Sequence, residues 1–415
     1  MQQAKRRAFD EARVDALCCT FGDISIVLVG DFGQLEPIDD WSMCDAESRY
    51  KDQPKRLLHL WRHGEFGKEL LKTFDEAILL SRIHRSKDDL WWTESCLRLR
   101  DFACTKTEDY DWWREHDLDR GHLNEEQKAY FQKKAVWLCA RCEDVGQRNG
   151  RKLREAAEEG KEIIHQIKAR HSSKSGKKHS SNAFNGLRPV VNAVRGCKIG
   201  LTRNIAYIYG LANGTRGTLV GMVYPLDAAP GDFSEAMVLD VPEYKGPAFY
   251  PGEPTWVPIL PCTSMKEGTR MTRTQFPVVA GFAMTVNKAQ GLTIKEGVVI
   301  NLVGSQRFRP ASKHGLYCAA FTRSESFAMT AFKNLPPWND FVKGRESDML
   351  RMRKDFVARL ETMHQRTLAQ HSDMKTREDE DAAFDAWKLT QASKTTRSKQ
   401  SGPFMPCPCC QQMCF

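Results

Sequence analysis

Short, nearly continuous apolar runs separated by long polar stretches set the rhythm of this chain. Ile24 to Val29 reads ISIVLV, Ala135 to Ala140 reads AVWLCA, and Gly297 to Leu302 reads GVVINL. Apolar runs of this length without alternation mark strands buried on both faces, as in parallel sheets. Each is expected in an α/β core. Elsewhere the pattern changes. Residues 197–262 break into pieces such as GTLVGMVY and AMVLDV, divided by Gly and Pro, which is small β-barrel patterning. Residues 1–20 and 66–104 read as helical, the latter with a short strand near Ile78–Leu80. Arg151 to Gly186 is charged and then Ser/Lys-rich, which predicts a helix followed by a mobile basic loop. Met349, Met352, Phe356, Leu360 and Met363 recur at helical spacing and predict an amphipathic helix. Beyond residue 372 the chain is polar and expected to be disordered until a cysteine-rich end.

Composition narrows the class without deciding it. A chain of 415 residues has room for two or three domains and a real core. Its 41% hydrophobic and 28% charged residues are ordinary for a soluble globular protein. Lys and Arg number 62 against 53 acids, and an excess of +9 fits a polyanionic partner without requiring one. The opening MQQAKRRAFDEARVD lacks the apolar core of a signal peptide. No apolar run reaches the roughly 18 residues of a membrane span. An intracellular setting, nucleus or mitochondrion in a eukaryote, is expected, with the 14 cysteines reduced.

The chemistry concentrates in four segments. Gly30-Asp31-Phe32-Gly33-Gln34-Leu35-Glu36-Pro37 follows the first apolar run. Ligands of open α/β sheets sit at such strand ends. Leu80-Ser81-Arg82-Ile83-His84-Arg85 ends in a guanidinium, whose planar fork matches phosphate oxygens. Thr285-Val286-Asn287-Lys288-Ala289-Gln290-Gly291-Leu292-Thr293 offers small hydroxyl and amide groups beside a glycine that lets the backbone come close. Tyr317-Cys318-Ala319-Ala320-Phe321-Thr322-Arg323 ends in a second arginine. Arg203-Asn204 and Gly210-Leu211-Ala212-Asn213-Gly214-Thr215-Arg216-Gly217 lie between them, where Asn-Gly and spaced glycines also read as plain turns.

In this order the segments resemble the motifs GDxxQLPP, an arginine-bearing fourth motif, TxHKSQGxT and YVALSR of the superfamily 1 DNA helicases of the Pif/RecD group. The likeness spans about residues 12–335. It implies an α/β fold: RecA-like motor lobes of parallel sheet flanked by helices, an inserted SH3-like barrel entered through Asn204, and a helical C-terminal extension. By the same resemblance, residues 1–75 would belong to the first lobe, 76–196 and 271–335 to the second, 197–270 to the barrel, 336–371 to the terminal helix and 372–415 to a tail. It implies ATP-driven translocation, 5′ to 3′, along single-stranded or forked DNA, with ATP and Mg²⁺ as cofactors and roles in DNA repair and recombination. Gln34, Arg85 and Arg323 would act on the terminal phosphate, Arg323 as an arginine finger. Gly30, Asp31, Gln34, Gln290 and Gly291 would face the nucleotide. Thr285, Asn287, Lys288 and Asn204 would touch DNA. The chain departs from the motifs at Glu36 (usually Pro), Ser86 (often Gln), Asn287 (usually His), Ala289 (usually Ser) and Thr322 (usually Ser).

A motor also needs the phosphate-cradling GxxxxGK[ST] loop. That pattern does not occur in the 415 residues. Asp10-Glu11 is the one acidic pair upstream, and its basic helical context reads as a solvated surface rather than a Mg²⁺ seat. The expectation is therefore a chain that begins after the Mg²⁺-binding strand, with a non-catalytic nucleic-acid-binding protein as the alternative. Trp91-Trp92 and Trp112-Trp113 can stack on bases or fill a core. Four cysteines from Cys407 to Cys414 are too tightly spaced for an ordinary zinc site.

Overall fold

The computed structural model describes residues 24–35, 66–67, 69–80, 83–227, 233–305, 310–343, 345 and 348–371. The expected helix over 1–20, Asp10-Glu11, Glu36 and the terminal cysteines lie outside these residues.

Strands are numbered β1 (Val136–Cys139), β2 (His165–Lys168), β3 (Arg170–His171), β4 (Val190–Ala193) and β5 (Lys198–Leu201), continuing with β6 (Arg216–Val223), β7 (Ala236–Asp240) and β8 (Trp256–Ile259). The last six are β9 (Cys262–Met265), β10 (Thr272–Gln275), β11 (Val278–Ala280), β12 (Ala283–Thr285), β13 (Val298–Asn301) and β14 (Thr330–Lys333). A parallel sheet runs in the order β12-β1-β13-β14. Its central strands, VWLC and VVIN, are buried along nearly their whole length, as two-sided packing under helices requires. The helices Leu90–Arg100 and Pro310–Phe321 cover this sheet. Asp89 starts the first of them, its carboxylate accepting from the Trp92 amide at 2.9 Å, a standard cap for an orphan donor. Trp92 and Trp113 lie fully buried in this core with Phe321 between them, and the Trp113 indole donates to Ser95 at 3.1 Å. Trp112 is exposed.

A second, antiparallel unit has its own core. Its five-stranded sheet has the order β11-β5-β6-β7-β8, with the register shifted between Leu219 and Gly221 of β6. β2 pairs with β4, and β9 and β3 flank β10. The helix Asp348–Gln370 then runs back over the molecule. Leu350, Met363 and Thr367 are buried, and the partly covered Met352, Phe356 and Leu360 continue the stripe.

Three expectations need correction. Ile24–Val29 carries the apolar signature of an inner strand but has no regular structure, and Val29 is 88% exposed. A strand's ladder comes from its neighbours, and among the described residues none pairs with this run. Ile78–Leu80 is likewise not a strand. Its extended backbone lies along the terminal helix, where the Ala77 and Leu79 amides donate to Thr367 and His364. The basic loop is ordered: residues 174–178 and 182–184 form 3₁₀ turns around the buried Arg273.

His314 ties the helix Pro310–Phe321 to the end of Leu90–Arg100. Its ring stacks on Phe102 at 3.5 Å, and Nε2 lies 3.0 Å from the Arg100 carbonyl. Burial pushes its pKa down to about 4. Between that value and the unfolded value near 6.5 the unfolded chain binds a proton that the native chain refuses. Stability should therefore fall as pH drops through this window, by on the order of 3 kcal/mol. Burial lowers His116 in the same direction. Urea unfolding at several pH values should show the decline, and His314→Gln should flatten part of it. An unchanged profile in that variant would rule out the buried neutral imidazole as its source.

Candidate nucleotide and strand site

The first motif is a tight turn. The Gln34 amide donates to the Asp31 carbonyl at 3.2 Å. The Asp31 carboxylate accepts from the Gly33 amide at 2.8 Å and from Gln34 Nε2 at 3.1 Å. Arg100 closes on the same carboxylate at 3.3 Å. The turn is packed from three sides, by the end of the helix Leu90–Arg100, by the helix Pro310–Phe321 and by the helix Asp348–Gln370. A side chain at Gly33 would meet Arg100 at 2.8 Å and Arg353 at 2.9 Å. Phe32 packs edge-on against Phe356 of the terminal helix at 4.7 Å. Gly315, inside the helix Pro310–Phe321, lies so near that a Cβ there would sit 2.6 Å from the Gln34 carbonyl oxygen.

This packing aims Gln34 at the third motif. Gln290 Nε2 donates to Gln34 Oε1 at 3.2 Å. Gln34 thus donates to Asp31 and accepts from Gln290 at once, which an amide can do and a carboxylate cannot. Gly291, next in the chain, has a φ of +85°, so the turn after Gln290 takes a shape that suits glycine.

The two candidate arginines converge on Thr322. Arg85 Nε donates to Thr293 Oγ1 at 2.8 Å, and its Nη1 to the Thr322 carbonyl at 2.5 Å. Arg323 Nη2 donates to the Thr322 hydroxyl at 2.8 Å, while Nη1 reaches the Ala289 and Leu292 carbonyls at 3.3 Å. Arg85 is half-buried and borders an open concavity of about 530 Å³ with His84, Thr293, Lys295 and Glu325. Arg323 is buried behind it, with its Nε unpartnered. Burial, and then the charge of Arg85, lower its pKa to about 10. It stays charged at neutral pH, and Asp31 lies near enough to favour that charge. In this conformation only Arg85 is presented to solvent. Arg323 is held inward by carbonyls.

The residues expected to touch DNA lie apart from these. Thr285 is the N-cap of the short helix Val286–Ala289, its hydroxyl accepting from the Lys288 amide at 3.4 Å. Asn287 and Lys288 are exposed on that helix. Burial of its stem and the neighbouring Arg188 lower the pKa of Lys288. Asn204 sits across the antiparallel unit, where its side-chain oxygen accepts from the Asn213 amide at 2.8 Å. That turn meets the third motif through Gly214, whose φ is +94° and whose missing Cβ would lie 3.0 Å from Leu292. One continuous segment, 285–293, therefore joins Thr285, Asn287 and Lys288 to Gln290 and Thr293.

Comparison with known proteins supplies the deciding observation. No family model matches the sequence. The human ATP-dependent DNA helicase PIF1 is 24% identical over 285 residues, which is 66% of this chain and 36% of that protein. A solved Pif1 structure concerned with unwinding of forked duplex DNA by two coordinating helicases superposes with a TM-score of 0.55 at 17% identity, covering 82% of this chain and 67% of the other. The Bacteroides Pif1 helicase in complex with ADP-AlF3 and single-stranded DNA gives 0.53 at 16% identity, covering 81% and 68%. The chain has the fold of the Pif1 helicases. It spans about a third of the length of its human relative.

Two residues at the site, Arg100 and Gly315, carry no sequence signal of their own, and a third, Thr293, belongs to the third motif without a role read from it. Thr293 closes the third motif and anchors Arg85, Arg100 pairs with Asp31, and Gly315 admits the first turn. Among the described residues no three His, Cys, Asp or Glu side chains cluster as metal ligands. Gly315→Ala tests the frame directly. Alanine favours a helix interior by about 1 kcal/mol, but here its methyl meets backbone. The variant should be destabilised by about 1–3 kcal/mol in urea unfolding, and a gain in stability would contradict the contact.

Proposed function

We propose that this chain supplies the second motor lobe, and the sensing turn of the first, of an ATP-dependent DNA helicase that steps 5′ to 3′ along a single strand. The observation that carries this reading is the hydrogen bond between Gln34 and Gln290. It joins a turn expected to sense the terminal phosphate to the segment whose other end presents Thr285, Asn287 and Lys288 to a strand. Change at one end has a short path of packed backbone to the other.

ATP fits the groups present at its phosphate end. Arg85 offers a fork of donors at the rim of the concavity, and Gln34 and Gln290 offer amides. Arg323 would join them by turning out of its carbonyl cage, exchanging the Ala289 and Leu292 carbonyls for phosphate oxygens. The GxxxxGK[ST] pattern of a cradle for the inner phosphates does not occur in the 415 residues, and the motor reading needs it from a separate P-loop lobe. That lobe would also cover the exposed Ile24–Val29 run with partner strands. Mg²⁺ would be held there as well. In this reading residues 197–270 of the antiparallel unit are the SH3-like insertion, residues 76–196 and 271–335 make the second lobe, and the helix Asp348–Gln370 braces the first-motif turn through Phe356 and Arg353. The DNA-bound and nucleotide-bound relatives support this assignment of partners. The non-catalytic alternative keeps the strand group and drops the motor.

ATP hydrolysis by this chain joined to a P-loop lobe separates the two. The proposal expects turnover stimulated by single-stranded DNA, lowered about a hundredfold to a thousandfold by Arg85→Lys, as for loss of one preorganised charge donor. Turnover that ignores this substitution, or no turnover with nucleotide bound, would favour the binding protein.

A further inference from the structure

The basic segment between β2 and β4 and its flanking hairpin carry a charge that the motor does not use. Residues 165–188 and 262–275 together hold nine Lys and Arg and one acid, Glu267. That is an excess of eight in a chain whose whole excess is nine. Lys168, Arg170, Lys174, Lys177, Lys178 and Arg270 are exposed.

These cations stand on a built frame. Arg273 of β10 is fully buried at its centre. Its guanidinium donates to His171 Nε2 at 2.9 Å and to the carbonyls of Leu187 at 2.8 Å, His179 at 2.9 Å and Gly176 at 3.0 Å. It also lies over the Phe184 ring at 4.3 Å. Burial, and then the Arg273 charge, hold His171 below the usual imidazole range, so it serves as a neutral acceptor. Among the described residues no carboxylate pairs with Arg273. Burying a cation costs several kcal/mol unless its donors are met, and here carbonyls and a ring nitrogen meet them without cancelling the charge. The side chain thus fixes the fold of the 174–184 segment and adds to its positive potential.

The surface continues toward the strand group. Arg203, next to Asn204, donates to the Phe184 carbonyl at 3.2 Å. Arg188, just past the knob, lies near enough to Lys288 to depress its pKa. Positive charge thus runs from Lys288 through Arg188 to the knob.

We infer that this knob is a second binding surface for the phosphate backbone of a nucleic acid, beyond the residues of the strand signature. Lysines suit it because phosphate contacts need point charges rather than base-reading geometry. The flanking Ser172, Ser175 and Ser180 are exposed hydroxyls that can donate to the same oxygens. The inference does not rest on the motor reading, since neither the charge nor its frame needs nucleotide.

The test is equilibrium binding of a labelled single-stranded oligonucleotide and of a duplex to the whole chain across a salt series, with no nucleotide present. The probe variant is K174Q/K177Q/K178Q. The control is K106Q/K133Q/K343Q, which removes the same charge from exposed positions elsewhere. Each phosphate contact contributes about 0.9 to the slope of log affinity against log salt for duplex DNA and about 0.7 for single strands. The knob variant should lose about 2 of slope and at least about tenfold in affinity at 0.1 M salt, and the control well under 1 of slope. Whichever nucleic acid shows the larger loss is the form the knob holds. Equal losses in both variants would mean net charge alone acts, and would overturn the inference. So would an unchanged knob variant, or no binding of either nucleic acid at low salt. None of these outcomes depends on ATP turnover, so the knob and the motor can fail separately.

Discussion

A helix with a hole in its side organises the candidate site. Gly315 leaves the helix Pro310–Phe321 without a side chain where the Gly30–Leu35 turn must lie, so two backbones meet with nothing between them. That contact places Gln34 within hydrogen-bond reach of Gln290 and Asp31 within reach of Arg100. Close-packed interiors transmit displacement rather than absorb it. A turn held this tightly cannot move without moving what it touches, which is the property a coupling element needs.

The polar groups around this contact follow one economy. Arg323 and Arg273 are both buried guanidiniums whose partners are mostly backbone carbonyls rather than carboxylates. Carbonyls satisfy the donors yet leave the charge uncancelled, so each arginine remains attractive to an anion. At Arg323 the cage is incomplete, since Nε is orphaned, and unmet buried donors are costly. At Arg273 the cage is filled by five acceptors, counting the Ser180 carbonyl at 3.5 Å. The first arrangement is suited to release and the second to permanence.

The parts of this fold that could be read along the chain are those whose signal is local. AVWLCA and GVVINL announce β1 and β13 because continuous apolar runs suit only a two-sided sheet. The stripe from Met352 to Met363 announces the terminal helix because its apolar positions recur at helical spacing. ISIVLV carries an equal signal, yet it is exposed, because strand formation needs neighbours that a single run cannot specify. Motif order pointed to Gln34, Arg85, Gln290 and Arg323, but the inward set of Arg323 depends on carbonyls supplied from Ala289 and Leu292. Gly315, Arg100 and Arg273 left no trace, since one glycine in a helix or one arginine in a strand has no pattern to belong to. The Ser/Lys-rich segment looked mobile because its ordering comes from Arg273, about ninety residues away.

Coupling between the Gln34 turn and the strand group is the claim on which the rest stands. It is tested by measuring single-strand affinity of the chain joined to a P-loop lobe, with and without a transition-state analogue such as ADP with aluminium fluoride. The account predicts a change of about fivefold or more, the lower range of ordinary coupling energies, and a clear reduction of that change in Gln34→Ala. Equal affinity in both nucleotide states, or a shift that Gln34→Ala leaves intact, would contradict it.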